Sequence, residues 1–168
     1  MGLDVVAYKG IKKVDPELWS VEDNIWDVCA RNDWFIPSTT AFIEHALDIE
    51  DGVPYSSEGE ISFRAGSYGG YNQWRNQLAI LAGYDSAENV WEMEHPWGKP
   101  FVELINFSDC EGTIGSALCV KLLKDFEDHE DQASKFAVEH GDSYFLTVYD
   151  DFLSALRFAG DHGILAFC

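Results

Sequence analysis

The segment from residue 63 to residue 83 concentrates side chains suited to ligand recognition. Its first part, residues 64–75, contains two arginines, a serine, three large aromatic residues and three glycines: Arg64, Arg75, Ser67, Tyr68, Tyr71, Trp74, Gly66, Gly69 and Gly70. Arginine donates paired hydrogen bonds to phosphate or carboxylate groups, aromatic rings stack on planar groups, and glycine lets the backbone approach a ligand closely. The spacing matches neither a P-loop nor a dinucleotide-binding fingerprint. The segment therefore predicts a site for a planar, anionic molecule without naming a phosphate motif.

A second polar segment covers residues 106–113. It contains an amide, two hydroxyls and two carboxylates: Asn106, Ser108, Thr113, Asp109 and Glu111. Each segment is predicted as a polar turn that joins a strand to a helix, and the free amide groups at the start of a helix favour anionic or polar ligands. The carboxylates suit ribose hydroxyls or a divalent cation. Together the two segments predict a pocket for a nucleotide-like small molecule.

A purely structural interpretation of the same residues stays open at this point. In that interpretation Tyr71 and Trp74 belong to the core, both arginines pair with acids, and the glycines only form a turn. In the second segment, the side chain of Ser108 or Asp109 would cap the backbone amides that follow it.

The sequence predicts no catalytic residue, no resident metal and no cofactor. Two acids flank Cys110, which disfavours a thiolate nucleophile. The five histidines show no zinc-binding spacing, and no Gly-x-Ser-x-Gly motif is present. The remaining enzymatic alternative is a hydrolase in which Asp109 and Glu111 hold a metal ion.

The charge of the chain limits its partners. Lys and Arg number 11 against 30 Asp and Glu, which gives a net charge of −19. Direct nucleic-acid binding and binding to an anionic membrane are therefore not expected, because both depend on basic residues. The acidic surface serves solubility, or it imitates a nucleic acid and docks on a basic host protein. Charge alone does not separate these two interpretations.

The cysteine pattern and the chain start indicate the compartment. The four cysteines show no Cys-x-x-Cys spacing, and the first residues lack the pattern of an export signal. No apolar run approaches the roughly 20 residues of a membrane-spanning helix. We therefore expect free thiols and a cytoplasmic protein, and the oligomeric state stays open.

Hydrophobic spacing and turn residues predict one α+β domain over residues 1–168, with a small, mainly antiparallel sheet of about four strands covered by about four helices. Strands are predicted at residues 3–14, 61–65, 101–107 and 164–167. Helices are predicted from Asp15 to about Val21, at 39–47, from the Ser67 cap to Gly83, from Ser116 to the break at Gly141, and at 143–159. Acidic residues 44–60 and Pro-rich residues 84–100 are predicted as loops.

Three short motifs resemble a group of uncharacterised phage and prophage proteins. They are the run from Phe63 to Tyr68 followed by Tyr71-Asn72 and Trp74-Arg75, the run from Asn106 to Gly112, and the opening Met1-Gly2-Leu3-Asp4. The resemblance spans most of the chain and brings no catalytic residues with it. It implies a counter-defence role in the bacterial host cytoplasm: sequestration of a nucleotide-derived signal, or imitation of DNA. The leading expectation is non-enzymatic capture of a nucleotide-like ligand.

Overall fold

The computed structural model describes residues 2–19, 24–40, 42–94 and 97–168. In this part of the chain, α-helices stand beside one four-stranded antiparallel sheet and one two-stranded ribbon. The predicted α+β class is confirmed. No helix among the described residues is long and apolar enough to cross a membrane.

The strands come mainly from the two ends and the middle of the chain: β1 (Gly2–Lys9), β2 (Lys12–Lys13), β3 (Tyr55–Ser56), β4 (Gly59–Ser67), β5 (Gly112–Ile114) and β6 (Ile164–Phe167). The sheet has the order β4-β1-β6-β5, and all neighbours are antiparallel. Strands β2 and β3 form the separate ribbon. The last strand of the chain therefore lies in the middle of the sheet.

The two faces of the sheet differ, as the period-two alternation of a strand requires. Along β1, Leu3, Val5 and Ala7 are fully buried, whereas Asp4 and Tyr8 are only partly buried. We call the buried side the inner face and the other side the outer face. Helices cover the inner face, whereas Phe35 and Tyr55 pack over part of the outer face, against Tyr8 and Ile164.

The helices are α1 (Ile25–Asn32), α2 (Tyr68–Leu81), α3 (Ala87–Trp91), α4 (Val102–Ile105), α5 (Ser116–His140) and α6 (Ser143–Ala159). Helices α5 and α6 form a hairpin, because Gly141 adopts a left-handed φ of 64° and the Asp142 side chain caps α6 at the Phe145 amide. Together with α2 they bury an aromatic core on the inner face. Within it the Trp74 and Phe152 rings stack with centroids 5.0 Å apart.

Several predicted elements are confirmed. Helix α2 begins after the Ser67 cap and ends before Gly83, which has a φ of 88°. Helix α6 and strand β6 lie where the sequence predicts them, and α5 begins at Ser116 as expected. Asp15 caps the turn that follows it, although only the 3-10 turn Pro16–Leu18 forms, and residues 20–23 lie outside the described residues.

The predicted strand at residues 101–107 is wrong. This stretch contains helix α4, which begins after Phe101, a residue with a left-handed φ of 59°. All four residues of α4 are buried. A short apolar run fits a buried strand and a buried helix equally well, so periodicity could not distinguish them.

The predicted helix at residues 39–47 is also wrong. Among the described residues of this range, which exclude residue 41, only the 3-10 turn Ile43–His45 forms, because nearby groups bond to distant partners. The Thr39 amide and hydroxyl both donate to Asp51, at 3.2 and 2.9 Å, and Phe35 pairs with Tyr55 in a β-bridge. The opening strand divides at Gly10, which has a φ of 56°, and α3 lies inside the predicted 84–100 loop.

Candidate functional site

The aromatic residues of the 63–83 segment are mostly part of the core. Tyr71 and Trp74 are fully buried on α2, and the Trp74 indole Nε1 donates to the carbonyl of Phe145 at 3.1 Å. Tyr68 is partly buried and packs against the same core. Neither of the two buried rings presents a free face on which a ligand base could stack.

Two of the predicted polar residues act as caps. The Ser67 Oγ accepts a hydrogen bond from the Gly70 amide at 3.1 Å, which begins α2. The Ser108 Oγ accepts from the amides of Cys110 and Glu111, at 3.2 and 3.0 Å, and closes the turn before β5. Both contacts satisfy backbone donors that would otherwise be free.

Arg75 and Asp109 are brought together through Asn72. Arg75 is 6% exposed, and its guanidinium donates to the Phe107 carbonyl and to the Asn72 side-chain oxygen. The Asn72 amide in turn donates to Asp109 Oδ2 at 2.7 Å. The contacts join α2 to the 106–111 turn, so they serve as a structural link.

The same link contains three buried polar atoms without a hydrogen-bond partner among the described residues: the Tyr71 hydroxyl, Arg75 Nε and Asn106 Oδ1. The Arg75 guanidinium carbon lies 5.3 Å from the centre of the Tyr71 ring and 5.5 Å from that of Trp91. Burial raises the pKa of Tyr71, so this hydroxyl is protonated at neutral pH.

Arg64 lies on the other side of the sheet from Arg75. Its neighbour Ala65 is buried on the inner face, whereas Arg64 projects from the outer face and donates to both oxygens of Asp4, at 2.8 and 3.1 Å. The side chains of this pair are 55% and 50% exposed. The pocket expected to contain both arginines is therefore not formed by this arrangement.

Arg64 lies on the same outer face as part of the second polar segment, residues 106–113. Asp4 pairs with Arg64 on β4, and its backbone exchanges two hydrogen bonds of 2.9 Å with Cys168 beyond β6. Gly112 is the partner of Phe167, so Glu111 comes next to Cys168 in the register. Four residues thus follow one another across the sheet, from Glu111 through Cys168 and Asp4 to Arg64.

A groove of about 410 Å³ opens on the outer face beside this row, and we call it the outer groove. One wall is the chain at residues 35–38, and the rest comes from the turn before β5 and from the last strand. It is lined by Tyr8, Phe35, Ile36, Pro37, Ser38, Cys110, Glu111, Gly112, Thr113, Ala166, Phe167 and Cys168. Of the predicted site residues, Glu111 and Thr113 line it.

Polar atoms in the outer groove are available for a ligand. Thr113 is 1% exposed, and its hydroxyl has no hydrogen-bond partner among the described residues. Glu111 is an exposed carboxylate, and no other Asp, Glu, Lys or Arg side chain of the described residues lines the groove. Tyr8 and Phe35 stack with ring centroids 3.9 Å apart and form an aromatic wall. The groove thus combines hydroxyl, carboxylate and aromatic surfaces.

Burial keeps two groups of the groove lining in their protonated form. Burial and the nearby Asp4 carboxylate raise the pKa of the Cys168 thiol, which keeps it protonated at neutral pH. Burial likewise raises the pKa of Tyr8 to about 12. Among the described residues, no group of three or more His, Cys, Asp or Glu side chains is placed to hold a metal ion. Asp109 faces Asn72, whereas Glu111 lines the groove.

Sequence reasoning missed most of the groove. Tyr8, Phe35, Pro37 and Cys168 come from three separate parts of the chain, and no local motif connects them. The polar groups of Asp4 and Tyr8, which are an even number of residues apart in the predicted opening strand, are a sequence signal for an accessible sheet face. Comparison of the chain with protein-family models, with curated proteins and with solved structures finds no match.

Proposed function

We propose that this protein is a non-enzymatic binding protein that captures a small molecule in the outer groove. One observation carries the proposal: the buried Thr113 hydroxyl lacks a partner in the lining of a groove of about 410 Å³. A buried hydroxyl without a hydrogen bond is costly, so a ligand atom that bonds it is favoured. The volume lies within the range that small-molecule sites usually have.

The groove chemistry supports a nucleoside-like ligand. Glu111 accepts hydrogen bonds from sugar hydroxyls, the Thr113 hydroxyl bonds a polar atom deeper in the groove, and the aromatic wall contacts a planar base. Arg64 is on the same face, about 10 Å from the strand of Cys168 at the usual strand spacing. A ligand phosphate would bind Arg64 by competing with Asp4. Sequestration of a nucleotide-derived signal is the role that we propose for this capture.

Binding of nucleosides, linear nucleotides and cyclic nucleotides to the purified protein tests this proposal. Calorimetry and native mass spectrometry measure affinity and stoichiometry for each ligand. We expect a one-to-one complex whose affinity falls at least tenfold, which is about 1.4 kcal/mol, in Thr113→Val and in Glu111→Gln. Glu139→Gln, which removes one exposed charge on α5, is the matched control and should bind normally. Unchanged affinity in both groove variants would contradict the proposal.

Recovery of the ligand after long incubation tests the non-enzymatic part separately. The bound molecule should be released with its mass unchanged, with or without a chelator. A product that forms only when a divalent cation is present, and that is lost in Asp109→Asn, would instead support the metal-dependent hydrolase.

A second candidate function is docking on a basic protein, and the ion pairs favour it. Within the described residues, six of the 11 Lys and Arg side chains pair with carboxylates: Lys12 with Glu58, Lys13 with Glu50, Arg64 with Asp4, Lys121 with Glu103, Lys124 with Asp128 and Arg157 with Glu127. The remaining surface charge is dominated by acids. If docking is the function, DNA should compete for the partner, and binding should weaken steeply with salt.

A further inference from the structure

A second cleft surrounds His45 and shares no residue with the outer groove. Its volume is about 300 Å³, and we call it the His45 cleft. It lies where the 3-10 turn Ile43–His45 meets the start of α5. Its lining combines apolar side chains with two acids and one histidine: Leu47, Ala117, Leu118, Glu44, Asp48 and His45.

The surroundings of His45 determine which ring nitrogen carries the proton. The side chain is 2% exposed and packs between the rings of Phe107 and Trp97, with centroids 4.9 and 5.0 Å away. Its Nε2 lies 3.0 Å from the backbone carbonyl of Glu103. A carbonyl oxygen can only accept a hydrogen bond, so the proton is on Nε2. Burial lowers the pKa of His45, which leaves the ring neutral.

The other ring nitrogen is therefore a hydrogen-bond acceptor. His45 Nδ1 is buried and has no hydrogen-bond partner among the described residues. The nearest acid, Glu44, places Oε1 at 3.8 Å, and this carboxylate also can only accept. Two acceptors thus face each other with no donor between them. A group that brings several N–H donors into this gap would bond both.

The charge of the cleft selects a cationic donor. Asp48 Oδ2 accepts from the Ser116 amide at 2.8 Å, so this carboxylate offsets the positive end of α5. The Glu44 carboxylate is more than half exposed and is not paired with a Lys or Arg side chain in the described part of the chain. An ammonium or guanidinium group therefore complements the cleft, whereas an anion would be repelled.

Exposed apolar side chains lie beside the His45 cleft. Leu47 is 80% exposed, Ile43 60% and Trp97 46%. Burying these three exposed apolar side chains against a partner would be favourable, because it removes apolar surface from water. The methylene stem of a long basic side chain can lie on Leu47 and Leu118 while its charged end reaches Glu44.

We propose that the His45 cleft anchors a lysine or arginine side chain of a basic partner protein. The charged group of that side chain donates to His45 Nδ1 and to Glu44, its stem packs on the apolar lining, and Ile43 and Trp97 contact the flanking partner residues. The net charge of −19 attracts such a partner over longer distances. The anchor is a second site, and it does not depend on ligand binding in the outer groove.

Selection from a library of short random peptides displayed on phage, with the immobilised whole protein as bait, tests the proposal. We expect the selected peptides to share one Lys or Arg with an apolar residue beside it. Synthetic copies should lose at least tenfold in affinity when that basic residue is replaced by norleucine. A selection that returns no basic consensus would overturn the proposal, and so would norleucine copies that bind as tightly as the basic ones.

Variants of the protein assign the binding to this cleft. Glu44→Gln and Leu47→Ser should each weaken the selected peptides at least fivefold. Glu139→Gln and Val138→Ser make the same changes in charge and exposed apolar surface on α5 and should have no effect, because Val138 is 82% exposed and lies outside the cleft. Equal losses in Glu44→Gln and Glu139→Gln would mean that general acidity attracts the peptides, which would overturn the anchor. Thermal unfolding of each variant verifies that it is folded.

Discussion

At the scale of single residues, Arg64 and Arg75 show how one side-chain type serves two environments. Arg64 forms an exposed ion pair with Asp4 in which one guanidinium nitrogen donates to both carboxylate oxygens, and such exposed pairs contribute little to stability because water screens them. Arg75 is buried, and its guanidinium donates to the Phe107 carbonyl and to the Asn72 side-chain oxygen. The Arg64 side chain is open to solvent, whereas Arg75 is buried in contacts that stabilise the fold.

We therefore predict different stabilities for the two alanine variants. Arg75→Ala should lower the free energy of unfolding by about 3 kcal/mol, because it leaves buried acceptors unpaired and opens a cavity. Arg64→Ala should lower it by about 1 kcal/mol or less. Urea unfolding measures both. A small loss in both variants would show that the contacts of Arg75 are dispensable and that this residue is free for recognition.

His45 gives the protein a specific pH dependence. Because burial lowers the pKa of this residue, the unfolded chain binds more protons here than the folded protein once the pH falls below the ordinary histidine value of about 6.5. Stability is therefore full above that value and decreases as the pH falls toward the folded-state pKa.

The variant His45→Gln should lose this part of the pH dependence, since glutamine can still donate to the Glu103 carbonyl but does not titrate. Between about pH 7 and about pH 5.5, we expect its free energy of unfolding to fall less steeply than that of the unsubstituted protein. Urea titrations at several pH values measure the two slopes. Parallel slopes would mean that His45 is protonated equally in both states.

At the scale of elements, Gly163 and Gly69 differ in whether their turn requires glycine. A Cβ at Gly163 would lie 2.3 Å from the carbonyl oxygens of both Ala159 and Tyr8, where α6 passes into β6. A Cβ at Gly69, in the first turn of α2, would meet no atom within 4 Å. Close backbone approach thus explains Gly163, whereas Gly69 is neither crowded nor strained in the fold.

Alanine at these two positions should change stability in opposite directions. Gly163→Ala should cost about 2 kcal/mol or more, because backbone atoms on both sides must move. Gly69→Ala should stabilise the protein by about 0.5 to 1 kcal/mol, because alanine favours the helix. Thermal and urea unfolding measure both effects. If Gly69→Ala abolishes binding of a ligand while raising stability, this turn contacts that ligand.

At the scale of the whole molecule, the net charge of −19 opposes the compact state through repulsion among carboxylates. Several exposed ion pairs act in the other direction, including Lys12–Glu58 and Lys124–Asp128. Because acids far outnumber bases, repulsion should dominate.

Raising NaCl from about 0.01 M to about 0.5 M should therefore increase the urea concentration at the unfolding midpoint, since screening weakens repulsion among the carboxylates. Sodium sulfate would add a separate stabilising effect of its own, so NaCl is the better choice. A midpoint that falls with NaCl would show that the ion pairs outweigh the repulsion.

The sequence predicted elements that depend on neighbours along the chain. Ser67 and Gly83 bound α2 as expected, and the apolar stripes of α5 and α6 placed both helices. Caps and periodicity are local signals, because a helix satisfies its own backbone and buries one face. These elements and the α+β class could therefore be predicted without knowledge of the fold.

The contacts of the polar residues could not be predicted in the same way, because they depend on the three-dimensional fold. The fold placed Arg64 and Arg75 on opposite sides of the sheet, enclosed Tyr71 and Trp74, and joined Cys168 to Asp4 next to Glu111. Each outcome depends on pairing between residues far apart in the chain, and a side chain's exposure depends on what packs over it. The sequence alone shows which functional side chains are present and how they are spaced along the chain. The register of the sheet determines which of these side chains come into contact.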